Sequence, residues 1–195
     1  MDRKLSDFAD WGSFALVAYI PDPLGAFLQS LRHDLPGQEN PQVHITVLPP
    51  RPLKAPVETA SHEAKLTLGG FQPFAVGLYS VKVFRETHIL YLDIAEGDSA
   101  LHKLHGALNS GVLSHEENFE FLPHLTISGA ISFDRLGPVK AEATRAWEEY
   151  QGEKRFEVGE VVALWQPPHG SSEDWNRLWD QKLGDSGNSA RAGSL

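Results

Sequence analysis

Cysteine is absent from the chain. Disulfides and thiolate-bound metals are thereby excluded, a composition compatible with a reducing cytoplasm. Missing too is any run approaching the roughly 18 consecutive apolar residues that a membrane-spanning helix needs. The opening segment Met1-Asp2-Arg3-Lys4-Leu5-Ser6-Asp7 has no apolar stretch of the kind found in secretory leaders. Together these deficits lead us to expect a soluble, cytoplasmic protein with no membrane partner. Basic residues are also scarce: 17 Lys and Arg against 26 Asp and Glu leave a formal net charge of −9. Binding along a nucleic-acid polymer relies on phosphate neutralisation, so this balance argues against coating duplex or long single-stranded nucleic acid. A small nucleotide or an RNA terminus remains open as a partner, because a few local donors suffice to hold one phosphate.

What the chain does have is a repeated phrase. Val43-His44-Ile45-Thr46-Val47 and Pro123-His124-Leu125-Thr126-Ile127 each set a His and a Thr two positions apart among apolar residues. On a β-strand that spacing puts both polar side chains on one face and the apolar ones on the other. With 9 His and 6 Thr in 195 residues, composition alone supplies about 0.3 such triplets, so two in strand-like context point to function. A single His with a nearby Thr is ordinarily a satisfied hydrogen-bonding pair. The repetition is what favours a shared site.

The rest of the pattern alternates strands and helices. Phe14 to Ile20 reads as a buried strand, and Asp22 and Pro23 open a helix with Leu24, Phe27, Leu28, Leu31 and Leu35 on one stripe. Gln42 to Leu48 is the first motif strand, followed by a helix over about Pro56 to Leu66 and a hairpin of Phe74 to Phe84 with His88 to Ile94. Asp98 and Ser99 are expected to cap a helix that ends before Gly111. The second motif strand spans Phe121 to Ala130. A helix with Pro138 near its start, a strand from Phe156 to Trp165 and a strand at about Trp175 to Leu183 complete the order β-α-β-α-β-β-α-β-α-β-β. Residues 1–184 are expected to form one domain of two pseudo-symmetric lobes, with His44 and His124 facing across a cleft. Residues 185–195, rich in Gly, Ser, Ala and Asn, are expected to be a disordered tail.

Two imidazoles facing one phosphodiester can divide the proton work. One deprotonates the attacking water or hydroxyl while the other protonates the leaving oxygen, each worth ~10²- to 10⁴-fold, with no metal or cofactor required. The two Thr hydroxyls can donate to the non-bridging phosphate oxygens. Two readings of other classes compete with this one: a nucleotide- or phosphate-binding module without catalysis, and a metallohydrolase using His102 and His105, three apart on a helix.

Beyond the two tetrapeptides, the chain resembles the 2H phosphoesterases, specifically their 2′,5′ RNA ligase and cyclic phosphodiesterase branch. The resemblance rests on His44-Ile45-Thr46-Val47-Leu48-Pro49-Pro50-Arg51-Pro52-Leu53, on Val83-Phe84 before Ile89-Leu90-Tyr91-Leu92, on Leu101-His102-Lys103-Leu104-His105 and on Phe121-Leu122-Pro123-His124-Leu125-Thr126, in that order over about Phe14 to Leu183. It implies an α+β, bilobal fold whose two antiparallel sheets form a central cleft, with helices outside. It implies opening of 2′,3′-cyclic phosphates or handling of 2′,5′ linkages, with reverse RNA ligation conceivable. By resemblance His44 is the proton donor and His124 the acceptor, although pseudo-symmetry alone leaves the two roles open. Thr46 and Thr126 are then phosphate-binding residues, Tyr91 and Phe84 candidates for stacking on a base, and Arg51 a candidate for a positive rim. The chain departs from better-known relatives at Glu39-Asn40-Pro41-Gln42, where they carry a basic residue and an aromatic. Motifs of this length do not specify the substrate, the direction of reaction or the oligomeric state.

Overall fold

The computed structural model describes residues 11–36, 42–171 and 174–185. The elements run β1 (Ser13–Tyr19), α1 (Leu24–Asp34), β2 (His44–Pro52), α2 (Val57–Gly69), β3 (Phe74–Phe84), β4 (Ile89–Glu96), α3 (Asp98–Leu108), β5 (His124–Ala130), α4 (Phe133–Glu149), β6 (Arg155–Val158), β7 (Glu160–Gln166) and β8 (Asn176–Lys182). A 3₁₀ turn at Gly111–Leu113 lies between α3 and β5. The strands form two four-stranded sheets, ordered β2-β1-β7-β8 and β5-β4-β3-β6. Every neighbouring pair is antiparallel. The fold is therefore α+β with two antiparallel sheets, as the resemblance implies. Each motif strand is an edge strand, β2 beside β1 and β5 beside β4, and the two edges pack against one another.

Alternation decides which way each strand faces. In β2, Ile45 and Val47 are fully buried, as is Val43 just ahead of the strand, while His44 and Thr46 are only half-buried. Leu125 and Ile127 of β5 are likewise buried, and His124 and Thr126 face the other way. The apolar sides of both sheets join Leu24, Leu28, Leu68, Leu101, Leu104 and Trp147 of the helices in one core. Edge position also explains why β2 runs on through Pro49, Pro50 and Pro52. A proline lacks the N–H that a central strand would need, but an edge strand can leave that side unpaired.

Several local expectations are corrected. Phe156 to Trp165 is two strands rather than one: β6 completes one sheet, and after Gly159 the chain enters the other as β7. Gly159 and Glu160 interrupt the segment at the crossing, but strand-like residues on both sides do not reveal that the partner sheet changes there. The first helix is entered at Pro23, and Asp22 serves from one residue further out, its Oδ1 accepting the Ala26 N–H at 2.9 Å. Nor do Asp98 and Ser99 cap α3. Gly97 does, at φ +87°, where a Cβ would collide with the Ala75 carbonyl and the Val76 side chain. The second motif strand begins at His124, three residues later than expected. Apart from Asp185, the C-terminal tail lies outside the described residues, as do Glu39, Asn40 and Pro41.

Candidate active site

His44 and His124 occupy the first positions of β2 and β5, and their surroundings repeat. His44 Nδ1 lies 2.7 Å from the Gln42 carbonyl, and His124 Nδ1 lies 2.7 Å from the Leu122 carbonyl. A carbonyl oxygen can only accept, so each Nδ1 carries a proton. In the neutral ring that leaves Nε2 as the basic nitrogen, and protonation of Nε2 converts the same ring into an acid. Both strands thus present the same tautomer by the same device, a main-chain carbonyl two residues upstream.

Burial pushes both imidazoles below their ordinary range, and the carbonyl hydrogen bonds partly oppose it. His44 is lowered further by the positive charges of Arg32 and of His124. Mutual repulsion therefore disfavours the doubly charged pair. One protonated and one neutral ring is the arrangement that acid and base catalysis requires. Arg32 escaped the sequence reading, yet it stands on the apolar stripe of α1, four residues after Leu28, and is buried there. A guanidinium on an otherwise apolar stripe is the signal that could have exposed it.

Across the ladders, His44 pairs with Tyr19 and Thr46 with Val17, while His124 pairs with Asp93 and Thr126 with Tyr91. Directly opposed residues share a face, which sets His44 on the face of Tyr19 and Thr126 on the face of Tyr91. Tyr19 meets the His44 ring edge-on at 6.3 Å. Around His124, Phe84 and Tyr91 approach at 4.8 and 5.5 Å, both edge-to-face, and stack on each other at 4.1 Å. The two aromatics singled out in the sequence thus lie together against the second histidine. Beside them Lys82 forms an ion pair with Asp93 at 2.6 Å. Near Tyr19 a cavity of about 700 Å³ opens, bounded also by Gln42, Glu157, Glu160, Val162 and Lys182.

Arg51 is not a rim residue. Only 2% exposed, it donates to the Pro49 and Leu113 carbonyls and to Asn109 Oδ1, and it pairs with Glu117 at 2.5 Å. The β1–β2 register slips by one residue between Val17 and Leu16 and again between Leu16 and Phe14; the two slips together restore the parity, and Arg51 falls on the inside with Ile45 and Val47. His102 and His105 do not share a ligand position either. His102 faces the Asp98 and Phe121 carbonyls, and His105 faces that of Val47. Among the described residues, no group of three or more His, Asp or Glu side chains is arranged to hold a metal ion.

The chain is similar to several known proteins. A Halalkalibacterium halodurans protein, BH1439, named provisionally as a phosphoesterase, is 32% identical over 102 residues, 48% of this chain and 59% of that protein. In three dimensions the chain resembles Escherichia coli LigT complexed with 3′-AMP at a TM-score of 0.59 and 15% identity, covering 88% of this chain and 98% of that one. The Thermus thermophilus protein TT0787 matches at the same TM-score, identity and coverage. Usb1 of Kluyveromyces marxianus matches at 0.53 and 11%, over 87% of this chain and 98% of that one. These likenesses show a common fold. The model of the 2′-5′ RNA ligase superfamily matches residues 20–169, and the chain therefore belongs to that superfamily, the 2H phosphoesterases.

Proposed function

We propose that the protein is a metal-independent phosphodiesterase that opens 2′,3′-cyclic phosphates of nucleotides or RNA ends, or cleaves 2′,5′ linkages, in the cytoplasm. One observation carries this reading: two His-x-Thr pairs on adjacent edge strands, each imidazole fixed through Nδ1 by a carbonyl two residues upstream. For hydrolysis, His124 Nε2 takes a proton from water as its oxygen attacks phosphorus. His44 Nε2–H gives a proton to the departing ribose oxygen, and the P–O bond to that oxygen breaks. Thr46 and Thr126 donate to the non-bridging oxygens, whose charge grows in the transition state. Proton transfer back through solvent restores both rings. Running the steps in reverse exchanges the roles and joins a hydroxyl to a cyclic phosphate.

Small nucleotides suit the site. LigT has been solved with 3′-AMP, ATP and NADP⁺, and the Phe84–Tyr91 pair supplies an aromatic surface beside the second histidine. The test is turnover of each 2′,3′-cyclic nucleotide and of 2′,5′-linked dinucleotides in EDTA, with product identified by chromatography. His44→Ala and His124→Ala are each expected to lower kcat at least ~10²-fold. Wild-type protein that binds these nucleotides calorimetrically but never turns them over would instead mark a binding module.

A further inference from the structure

One helix reaches toward both motif strands, through two histidines that take no part in the chemistry above. His105 of α3 donates from Nδ1 to the Val47 carbonyl at 3.1 Å, one residue beyond Thr46. Its ring lies flat against Phe121, with centroids 3.8 Å apart and planes 6° from parallel. His102, one turn earlier, meets the Phe121 carbonyl through Nε2 at 3.1 Å and the Asp98 carbonyl through Nδ1 at 3.0 Å. Both carbonyls can only accept, and the Asp98 carboxylate lies 3.4 Å from the same ring. Phe121 is thus held by its ring and by its backbone. The next residue, Leu122, supplies the carbonyl that fixes His124.

We propose that His102 and His105 are positioning residues for the second histidine. They clamp Phe121, which sets the Leu122 carbonyl and hence the tautomer and aim of the His124 ring. This inference rests on the two-histidine reading of the site. Glu117 completes the clamp, 3.4 Å from His105 Nε2 and 2.5 Å from the Arg51 guanidinium, which ties α3 and the segment before β5 to β2. Of the two carbonyls that orient the catalytic rings, only that of Leu122 adjoins a residue held by α3. The Gln42 carbonyl, which orients His44, has no such support among the contacts of His102 and His105. The clamp therefore adjoins the ring-orienting carbonyl of one member of the pair, while its contact with β2 falls at Val47, beyond Thr46.

That asymmetry makes the proposal testable without relying on turnover. Histidine ring nitrogens are followed by NMR across pH in ¹⁵N-labelled wild type, His105→Ala, His102→Ala and His102→Gln. Loosening the Leu122 carbonyl removes the one contact that raises the His124 midpoint, so that midpoint should fall in the two alanine variants while that of His44 stays in place. The glutamine amide can still donate to Phe121, and His102→Gln should restore the wild-type midpoint. Where the substrates above are turned over, kcat should drop about 10-fold in the alanine variants with KM nearly unchanged, the signature of a misaimed catalytic group. An unmoved His124 midpoint in folded variants overturns the proposal. So does an equal shift of both catalytic histidines, which would mark general loosening. If His105→Ala does not fold, the exposed His102 pair of variants decides alone. Absence of turnover by wild type would refute the reading of the site and leave the NMR result standing.

Discussion

Replacing Arg51 by Met should make the protein easier to unfold. The methionine fills much of the side-chain volume, but the Pro49 and Leu113 carbonyls lose the Arg51 donor, Asn109 Oδ1 keeps only the His115 N–H, and the Glu117 carboxylate loses its close cation. Removing one partner of a buried ion pair generally costs about 3–5 kcal/mol. Here the Glu117 side chain keeps 18% exposure and His105 stands 3.4 Å away, so the lower end applies, ~3 kcal/mol. For a chain of this length that corresponds to a fall in Tm of about 6–12 °C. Urea unfolding followed by tryptophan emission, together with a thermal scan, measures both quantities. Adding Glu117→Leu removes the stranded charge and should recover part of the loss, so the double variant is milder than the sum of the singles. A change below about 1 kcal/mol would refute this account of Arg51, as would intact stability with a raised KM, the outcome expected of a substrate-touching rim residue.

Burial holds the His44 and His124 imidazoles below the ordinary histidine range. Between their folded midpoints and the unfolded value of about 6.5, the unfolded chain binds more protons, so stability should climb with pH through that window and level off above it. The difference in Tm between wild type and the His44→Gln/His124→Gln double variant, measured from about pH 4 to 8, isolates their share, and a difference that falls with rising pH contradicts the sign. Phe84→Ala should raise KM for nucleoside cyclic phosphates by about 5-fold or more through loss of base stacking, with a smaller effect on a cyclic phosphate lacking a base. Equal effects on both substrates would exclude stacking. Gly97→Ala should destabilise by at least about 1–2 kcal/mol in urea unfolding, because φ of +87° is unfavourable for any side chain and the added carbon meets the Ala75 carbonyl. A neutral result would mean that the turn relaxes freely.

The two His-x-Thr strands were legible because period 2 and composition agree over seven residues, and nothing in the tertiary structure overrides them. Helices α1 and α3 were legible from their leucine stripes. Their entrances were less so, since a glycine in left-handed conformation did the work assigned to Asp98 and Ser99. Arg51 misled for another reason: its charge suggests solvent, although it shares the parity of buried Ile45 and Val47, and the partners that satisfy it, Asn109, Leu113 and Glu117, lie 58 or more residues away. The environments of His102 and His105 depend on contacts with Phe121 and Val47, 16 or more residues away in sequence, and no local pattern announces such contacts.

The crossing at Gly159 gives the two lobes unequal histories. Strands β3 to β6 are contiguous, so the sheet bearing His124 can close once residue 158 has left the ribosome. The sheet bearing His44 is begun first and finished last, because β1 and β2 wait for β7 and β8 from the far end of the chain. On the ribosome, then, the later-translated motif strand gains its complete sheet before the earlier one does. The middle lobe is in effect an insertion within its pseudo-symmetric partner. A shortened chain ending before residue 176 would keep both His-x-Thr motifs but lack one edge strand of the sheet that carries His44.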